Sequence, residues 1–257
     1  MMMKKIFFFD IDGTLALHGV IPQSNKDVLM KLQEKGYLTF ICTGRAPFYA
    51  QRLFGNLVSG FVTCNGRYIL YHGQKLYGKV FSKQELAYYQ KKIQSLHAGA
   101  MFVSDQVAVP YLLDQQQIRS IHNEYGPQCV QIEDHVERPY YTFDLFYHTL
   151  QQRDEMIEAF QDELVINDHG GTGSADCSTV DFDKGHAIAY LLEYFQIPHD
   201  YSYAFGDGYN DQAMFREAGH CIAMGNAVDV LKQKATYVTD SIDRDGILKA
   251  LQHEGIL

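Results

Sequence analysis

The sequence lacks the features that mark disordered, disulfide-rich or membrane-spanning chains. It has only six prolines, no low-complexity tract and no long block of like charges, which argues against disorder. No apolar run approaches the ~18 residues of a membrane span. The five cysteines are an odd number without C-x-x-C spacing, and Cys42, Cys64 and Cys221 stand in apolar runs. We therefore expect a folded, reduced, cytoplasmic protein.

A basic surface is also missing. The chain has 31 acidic and 22 Lys or Arg residues, for a formal net charge of -9. This balance disfavours nucleic acids and anionic membranes as partners, but a small anionic substrate needs only local positive charge. The N-terminal lysines and short apolar run mimic a signal peptide, but the run is stopped too early by Asp10. The sequence carries no sign of oligomeric state.

The first and last thirds of the chain alternate strands and helices. We predict strands over 5–9, 37–42, 61–64, 201–205 and 221–224, and helices over 24–35, 184–195 and 212–218. Ser24 is predicted to cap the first helix, with Asp27 at the capping-box position. Apolar strands in this order predict a doubly wound, Rossmann-like parallel sheet.

The middle third has a different pattern. A hairpin over 68–81 is followed by a helix over 82–96, with a capping box between Ser82 and Glu85. Short strands are predicted at 101–104, 107–112, 129–133 and 142–147, and helices at 115–125 and 150–161. The glycine-rich segment 169–173 lacks the lysine of a P-loop and is interpreted as a hairpin turn. We expect a core of residues 1–82 and 184–257, with an inserted α+β cap over 83–183.

Four polar segments follow predicted strands or begin predicted helices. They are residues 10–14 (Asp-Ile-Asp-Gly-Thr), 43–45 (Thr-Gly-Arg), 183–185 (Asp-Lys-Gly) and 206–211 (Gly-Asp-Gly-Tyr-Asn-Asp). In a doubly wound sheet such segments converge on one edge. Carboxylates that converge repel each other unless a cation joins them, and oxygen ligands without His or Cys suit Mg²⁺. Lys184, Thr43 and the backbone N–H groups after Asp10 suit a phosphate, so the set indicates phosphoryl transfer.

These four segments, in this order, resemble the motifs of the haloacid dehalogenase superfamily of phosphotransferases. The chain resembles in particular the Cof-type sugar phosphatases with a type-IIB cap, and the resemblance covers essentially its whole length. It implies that Asp10 is the nucleophile and that Asp12 is the general acid–base. It also implies that Mg²⁺ is held by the side chains of Asp10 and Asp207 and by the backbone carbonyl of Asp12. Asp211 would support the metal from outside, and the remaining phosphate or substrate contacts would come from Ile11, Gly13, Thr43, Gly44, Arg45, Lys184 and Asn210.

Several residues keep a plainer interpretation beside the functional one. Thr43 could be a turn hydroxyl, and Asp211 could be structural rather than a metal ligand. Arg45 could be a salt-bridge residue rather than a substrate ligand. Arg67 stands where the family usually has a small residue, and we favour a structural role for it.

The resemblance implies a Mg²⁺-dependent phosphatase of small phosphomonoesters, such as sugar phosphates or a phosphorylated cofactor, acting through an aspartyl-phosphate. A phosphosugar mutase or phosphotransferase with the same intermediate remains open, since the two differ only in whether water or a sugar hydroxyl attacks. A binding protein that has kept the fold is the third alternative, although no nucleophile or metal ligand is missing.

Overall fold

The computed structural model describes residues 4–132 and 138–257, whose strands form two separate sheets. Within these residues the strands are β1 (Ile6–Phe9), β2 (Leu38–Cys42), β3 (Gly60–Thr63), β4 (Tyr68–Tyr71), β5 (Gln74–Gly78), β6 (Gly99–Val103), β7 (Ala108–Tyr111), β8 (Thr142–Phe146), β9 (Leu164–Asp168), β10 (Ser174–Thr179), β11 (Ser202–Gly206), β12 (His220–Ala223) and β13 (Tyr237–Val238). The helices are α1 (Gln23–Glu34), α2 (Pro47–Phe54), α3 (Lys83–Ser95), α4 (Gln115–Tyr125), α5 (Leu150–Phe160), α6 (Lys184–Phe195), α7 (Gln212–Glu217), α8 (Asp229–Lys232) and α9 (Gly246–His253).

The larger sheet, called here the core sheet, has the strand order β13-β12-β11-β1-β2-β3-β4-β5. Its strands from β13 to β3 are parallel, and the β4–β5 hairpin adds two antiparallel strands at one edge. β1 lies at the centre, where Phe7 pairs with Thr39 on one side and with Tyr203 on the other. The predicted parallel α/β fold class is confirmed.

Both faces of the core sheet are covered by helices, because successive side chains of a strand point to opposite faces. Phe7 and Phe9 of β1 pack into one buried cluster together with residues of α1, α2 and α9. Ile6 and Phe8 pack into a second cluster with residues of α6 and α7. A strand buried on both faces has no polar alternation, which is why β1 is continuously apolar.

The smaller sheet, called here the cap sheet, is antiparallel with the order β7-β6-β8-β10-β9. One of its faces is covered by α3 and α5, where Phe143 and Leu145 of β8 pack against Tyr89 and Phe160. The segment 169–173 joins β9 to β10, as the predicted hairpin turn requires. The other face of the sheet looks toward the core.

Two connections join the sheets, one from β5 to α3 and one from β10 to α6. Arg67, which is 2% exposed, donates hydrogen bonds to the backbone oxygen of Lys79 at 3.1 Å and to Thr179 Oγ1 at 3.0 Å. Its guanidinium lies 4.3 Å from the ring centroid of Phe81. One buried side chain therefore fastens both connections, which is the structural role favoured from the sequence.

Two local predictions are wrong. Helix α1 begins directly after Pro22, so Ser24 lies inside the first turn and makes no capping hydrogen bond. The strand predicted over 129–133 is absent from its described part, because Cys129 ends a 3-10 turn and Val130 makes only an isolated bridge to Ala108. Glu133 lies outside the described residues. The capping box of Ser82 and Glu85 is confirmed.

Candidate active site

The candidate active site begins at the carboxyl end of β1, at the centre of the core sheet. Asp10 is 7% exposed, and its backbone N–H donates to the oxygen of Phe205 at 3.0 Å, which continues the pairing with β11. The chain then turns sharply, and the carbonyl of Ile11 accepts backbone hydrogen bonds from residues 14, 15 and 16. This turn lets the Asp12 side chain emerge into a cavity that Asp10 also lines.

Three carboxylates meet at this point, from Asp10, Asp207 and Asp211. One oxygen of each lies within 4.8 Å of the others. Asp207 follows β11 and Asp211 ends the next turn, so the parallel pairing of β1 with β11 brings them to Asp10. Thr14 Oγ1 donates to Asp207 Oδ1 at 2.8 Å and fixes the orientation of that carboxylate. A set of carboxylate oxygens without His or Cys suits a hard divalent cation.

Lys184 lies between two of these carboxylates at the start of α6. Its side chain is 1% exposed, and Nζ donates to Asp10 Oδ1 at 2.8 Å and to Asp211 Oδ1 at 2.7 Å. Asp183 caps the same helix by accepting from the N–H groups of Gly185 and His186. This N-terminal cap of α6 therefore fixes the backbone next to the buried ammonium of Lys184.

The electrostatics of the cluster show that one lysine does not satisfy three carboxylates. Burial, and then the charge of Asp211, raises the pKa of Asp10 well above its usual range, although Lys184 opposes this. The same two causes raise the pKa of Asp207 to about 7. Burial lowers the pKa of Lys184, but Asp10 and Asp211 outweigh it and raise that pKa above its usual range. A cation bound among the three carboxylates would relieve this repulsion.

Both carboxylate oxygens of Asp211 already accept hydrogen bonds. Oδ1 accepts from Lys184, and Oδ2 accepts from the backbone N–H groups of Asp207 and Gly208, both at 2.9 Å. Asp211 is fully buried. This arrangement suits a residue that positions Lys184 and the Asp207 loop, rather than one whose lone pairs are free for a metal.

Two glycines allow the loops to approach this closely. A Cβ on Gly13 would lie 2.1 Å from Asp207 Oδ2, and Gly13 also has a φ of +85°. A Cβ on Gly206 would lie 2.6 Å from the Asp211 carboxyl carbon. Any larger residue would push the loops apart.

Asp12 is linked to the cap through Arg45. Arg45 Nε lies 2.9 Å from Asp12 Oδ2, and Arg45 Nη1 forms an ion pair with Glu124 of α4. Arg52 donates to the backbone oxygen of Glu124 at 2.9 Å and also to that of Tyr125. The Arg45 side chain therefore connects Asp12, the candidate acid–base residue, to α4. It does not lie free to bind a substrate.

The predicted phosphate-binding residues lie around the same cavity, with three exceptions: Ile11, Gly13 and Lys184, of which Lys184 lines the adjoining cavity. Thr43, Gly44 and Asn210 line the first cavity, and Thr43 Oγ1 accepts from the Arg45 N–H at 3.2 Å. The Ile11 side chain is in the core cluster, so only its backbone can face a ligand. The Gly13 N–H donates to the Ala16 oxygen at 2.9 Å, so the N–H predicted to cradle an oxyanion already has an acceptor.

The cavity has a volume of about 800 Å³ and is closed on its far side by the cap sheet. Cap residues that the sequence does not single out line this side, among them Tyr125, Asp144, Asn167, Asp168, His169 and Asp176. A signal for Asp144 was present, because a carboxylate interrupts an otherwise apolar strand. The Nε2 atom of His169, in the turn after β9, lies 3.3 Å from Asp176 Oδ1.

No helix in the described part of the chain is long and apolar enough to cross a membrane.

Comparisons with known proteins agree with this geometry. The family model for haloacid dehalogenase-like hydrolases matches residues 7–251. "Putative phosphatase YkrA" of Bacillus subtilis (strain 168) is 28% identical, with 99% of each chain covered. The 5-amino-6-(5-phospho-D-ribitylamino)uracil phosphatase YwtE of the same organism is 27% identical, with 95% of each covered. The solved structure of BT4131, described as a HAD subclass IIB sugar phosphatase, has a TM-score of 0.82 at 26% identity and covers 99% of this chain and 100% of that one. The expectation of a phosphatase enzyme with this fold is confirmed, and the chain belongs to the haloacid dehalogenase-like hydrolase family.

Proposed function

We propose that the protein is a Mg²⁺-dependent phosphatase of small phosphomonoesters that works through an aspartyl-phosphate on Asp10. The observation that carries this proposal is the position of Asp10. It lies beside a buried ammonium and two further carboxylates, at the floor of a cavity large enough for a small metabolite. The names of the phosphatase relatives support a small phosphorylated substrate.

The residues present fit a magnesium ion. The Asp10 and Asp207 side chains and the Asp12 backbone carbonyl would hold it, while Asp211 would keep Lys184 and the Asp207 loop in place. When bound, the ion would neutralise charge on the transferring phosphoryl group. The raised pKa values of Asp10 and Asp207 support this fit, since both describe carboxylates short of positive charge.

The proposed reaction has two steps. A carboxylate oxygen of Asp10 attacks phosphorus while the bond to the ester oxygen breaks, and Asp12 gives its proton to the departing alcohol. Asp12 then takes a proton from water, whose oxygen attacks the same phosphorus and releases inorganic phosphate and the Asp10 carboxylate. Lys184, Thr43 and Asn210 would hold the phosphoryl oxygens during both steps.

The cap would close over the cavity and exclude bulk water. We assign residues 83–183 to the cap and residues 1–82 and 184–257 to the core. The two chain connections between the sheets support these limits, because β5 ends at Gly78 and α6 begins at Lys184. Through its ion pairs with Asp12 and Glu124, Arg45 would tie the acid–base position to cap closure. We also propose a cytoplasmic location, supported by the five cysteines, all of which are free thiols.

The decisive experiment is phosphate release by purified Asp10→Asn protein, with p-nitrophenyl phosphate and a panel of sugar phosphates as substrates. We expect a loss of at least about 10³-fold, because an amide cannot replace the attacking carboxylate. Asp200→Asn is the matched control, since that side chain is 90% exposed and lies outside the cavity.

Two further readouts complete this experiment. Chelation should abolish the wild-type activity, and Mg²⁺ should restore it. Hydrolysis by pure Asp10→Asn at the wild-type rate would refute the assignment of Asp10 as the nucleophile. Activity that survives chelation would refute the requirement for Mg²⁺. An isomerised sugar phosphate in place of free phosphate would identify a mutase instead.

A further inference from the structure

The side chain of Asn226 joins three separate segments at the carboxyl edge of the core sheet. Asn226 lies in the loop after β12, and its Nδ2 donates to the Gly13 oxygen at 2.9 Å and to Asp207 Oδ2 at 3.2 Å. Its Oδ1 accepts from the Ile242 N–H at 3.2 Å. A flipped amide would place its oxygen against two other acceptors, so these contacts fix its orientation. One amide therefore holds the loops that follow β1 and β11.

The carboxylate of Asp207 is oriented at both of its oxygens. Thr14 Oγ1 donates to Oδ1 at 2.8 Å, and Asn226 Nδ2 donates to Oδ2. The backbone of Asp207 is also fixed, because its carbonyl accepts from the Val228 N–H at 2.9 Å. A carboxylate has about four lone-pair positions, so two donors orient this group and still leave positions for a cation.

The other two carboxylates of the cluster are balanced differently. Lys184 donates to both Asp10 and Asp211. Within the described residues, only uncharged side chains donate to Asp207. A lysine in place of Asn226 would orient Asp207 but would also supply the positive charge that a metal ion brings. A neutral amide orients the carboxylate and leaves its negative charge for the ion.

Asn226 also fixes the loop that carries the proposed carbonyl ligand. The carbonyl of Asp12 belongs to the same peptide as the Gly13 N–H, which donates to the Ala16 oxygen at 2.9 Å. The next carbonyl, that of Gly13, accepts from Asn226. Asn226 therefore sets the distance between the Asp12 loop and the Asp207 carboxylate, which carry two of the three groups proposed to hold magnesium.

A further cavity opens this arrangement to solvent. It has a volume of about 830 Å³, and its lining includes Asp12, Gly13, Asp207 and the exposed Asn226. A hydrated ion can thus reach Asp207 from the side that Asn226 faces. This access suits magnesium, because that ion keeps several of its waters when a protein binds it.

We propose that Asn226 is a positioning residue for the magnesium site, which holds the Asp207 carboxylate and the Asp12 loop in the arrangement that binds the ion. This inference rests on the proposed function, and it adds to that site a residue outside the four polar segments. Asn226 would not ligate the ion, since its Oδ1 already accepts from Ile242. Loss of the amide should therefore weaken magnesium binding and leave binding of the phosphate ester intact.

The test is a Mg²⁺ titration of Asn226→Leu, followed by Tm and, separately, by hydrolysis of p-nitrophenyl phosphate. Leucine keeps the size of the side chain but can neither donate nor accept a hydrogen bond. We expect both titration curves to move to about 10-fold higher Mg²⁺ concentration, because losing a partner of a metal ligand typically weakens metal binding about 10- to 100-fold. At saturating Mg²⁺, kcat and KM should stay within about 2-fold of the wild type.

Thr239→Ala is the matched control for a loss of stability alone. Thr239 is 6% exposed, and its Oγ1 donates to the Gly246 oxygen at 2.7 Å, so the variant loosens the same edge of the sheet without contacting Asp207. It should lower the Tm measured in chelator, but its Mg²⁺ titrations should match those of the wild type. Asn226→Ala should move the curves as the leucine variant does, and it replaces that variant if leucine prevents folding.

Unchanged Mg²⁺ titrations in the Asn226 variants would overturn the inference, as would an equal displacement of the curves in Thr239→Ala. If the wild type responds to Mg²⁺ and the Asn226 variants respond at the same concentrations, only the inference falls. If the wild type responds to Mg²⁺ in neither titration, the metal site of the proposed function falls as well.

Discussion

The core and cap sheets both present carboxylates to one cavity, but they balance those carboxylates differently. In the core, Asp10 and Asp211 share a buried lysine, and backbone N–H groups satisfy Asp211 further. In the cap, Asp144 faces Asp176 across two strands and has no donor among the described residues. The core therefore compensates part of its buried negative charge with protein groups, whereas the cap leaves Asp144 without a donor.

The largest expected effect tests the core side of this comparison. Lys184→Met leaves Asp10 and Asp211 buried without their ammonium, and breaking a buried pair costs about 3–5 kcal/mol. We expect urea unfolding, measured in chelator, to show a loss of this size together with loss of hydrolysis. Lys249→Met is the control, because the Lys249–Asp240 pair is half exposed and should contribute at most about 1 kcal/mol. Equal losses in the two variants would contradict a special role for the buried lysine.

The second effect is stabilisation by Mg²⁺, which should depend on the carboxylates of the core and not on those of the cap. Mg²⁺ at about 100 times its dissociation constant should stabilise the wild type by about 2.7 kcal/mol, seen as a rise in Tm. Asp207→Asn should abolish this rise, because it removes one of the clustered carboxylates. Asp144→Asn should keep it in full. A response lost equally in both variants would mean that the cation does not bind at the core cluster.

The third effect is a pH dependence of the cap. Folding raises the pKa of Asp144 from about 4 to about 7, so the folded state keeps its proton longer than the unfolded state. The free energy of unfolding should therefore fall as pH rises from about 4 to 7. Asparagine cannot ionise, so Asp144→Asn should be more stable than the wild type by on the order of 2 kcal/mol at pH 5.5, about 1.5 pH units above the unfolded pKa. Near pH 4 the two should be equal, and thermal unfolding at both pH values checks this.

The smallest effect concerns a cap helix remote from the cavity. Ser82→Ala removes a capping box at the start of α3 and should cost about 1 kcal/mol in chemical unfolding, with hydrolysis unchanged. Ser24→Ala is the control, because Ser24 makes no capping hydrogen bond in α1. A similar loss in Ser24→Ala would mean that the serine effects do not come from capping.

The sequence predicts the core side of the molecule well because its signals are local. Asp10, Lys184 and Asp207 each stand beside an element whose apolar pattern is plain, and the parallel order then brings them together. The incorrect prediction that Ser24 caps α1 has an equally local cause. Pro22 precedes the helix with a φ of -55° and a ψ of 146°, so the helix begins before the serine.

The cap side could not be predicted in the same way. The pairing of Asp144 with Asp176 depends on the register of two strands that are separated in sequence by α5 and β9. A shift of either strand by one residue would turn the carboxylate of that strand to the helix-covered face. The contacts of Asn65 with Asp176 and of Arg67 with Thr179 also join distant segments, and neither residue carries a local signal for its partner.

The pairing of β1 with β11 has a consequence for the order in which the molecule is made. Thr14 and Asp207, which share a hydrogen bond, are 193 residues apart, and the whole cap segment lies between them. During synthesis, the nucleophile strand emerges among the first residues, but its neighbour emerges only after the cap. Contacts over such distances form slowly, because a long loop must close first. A nascent chain that ends before β11 would thus carry Asp10 and a complete cap sequence but no carboxylate cluster, so the catalytic centre would be among the last parts of the molecule to assemble.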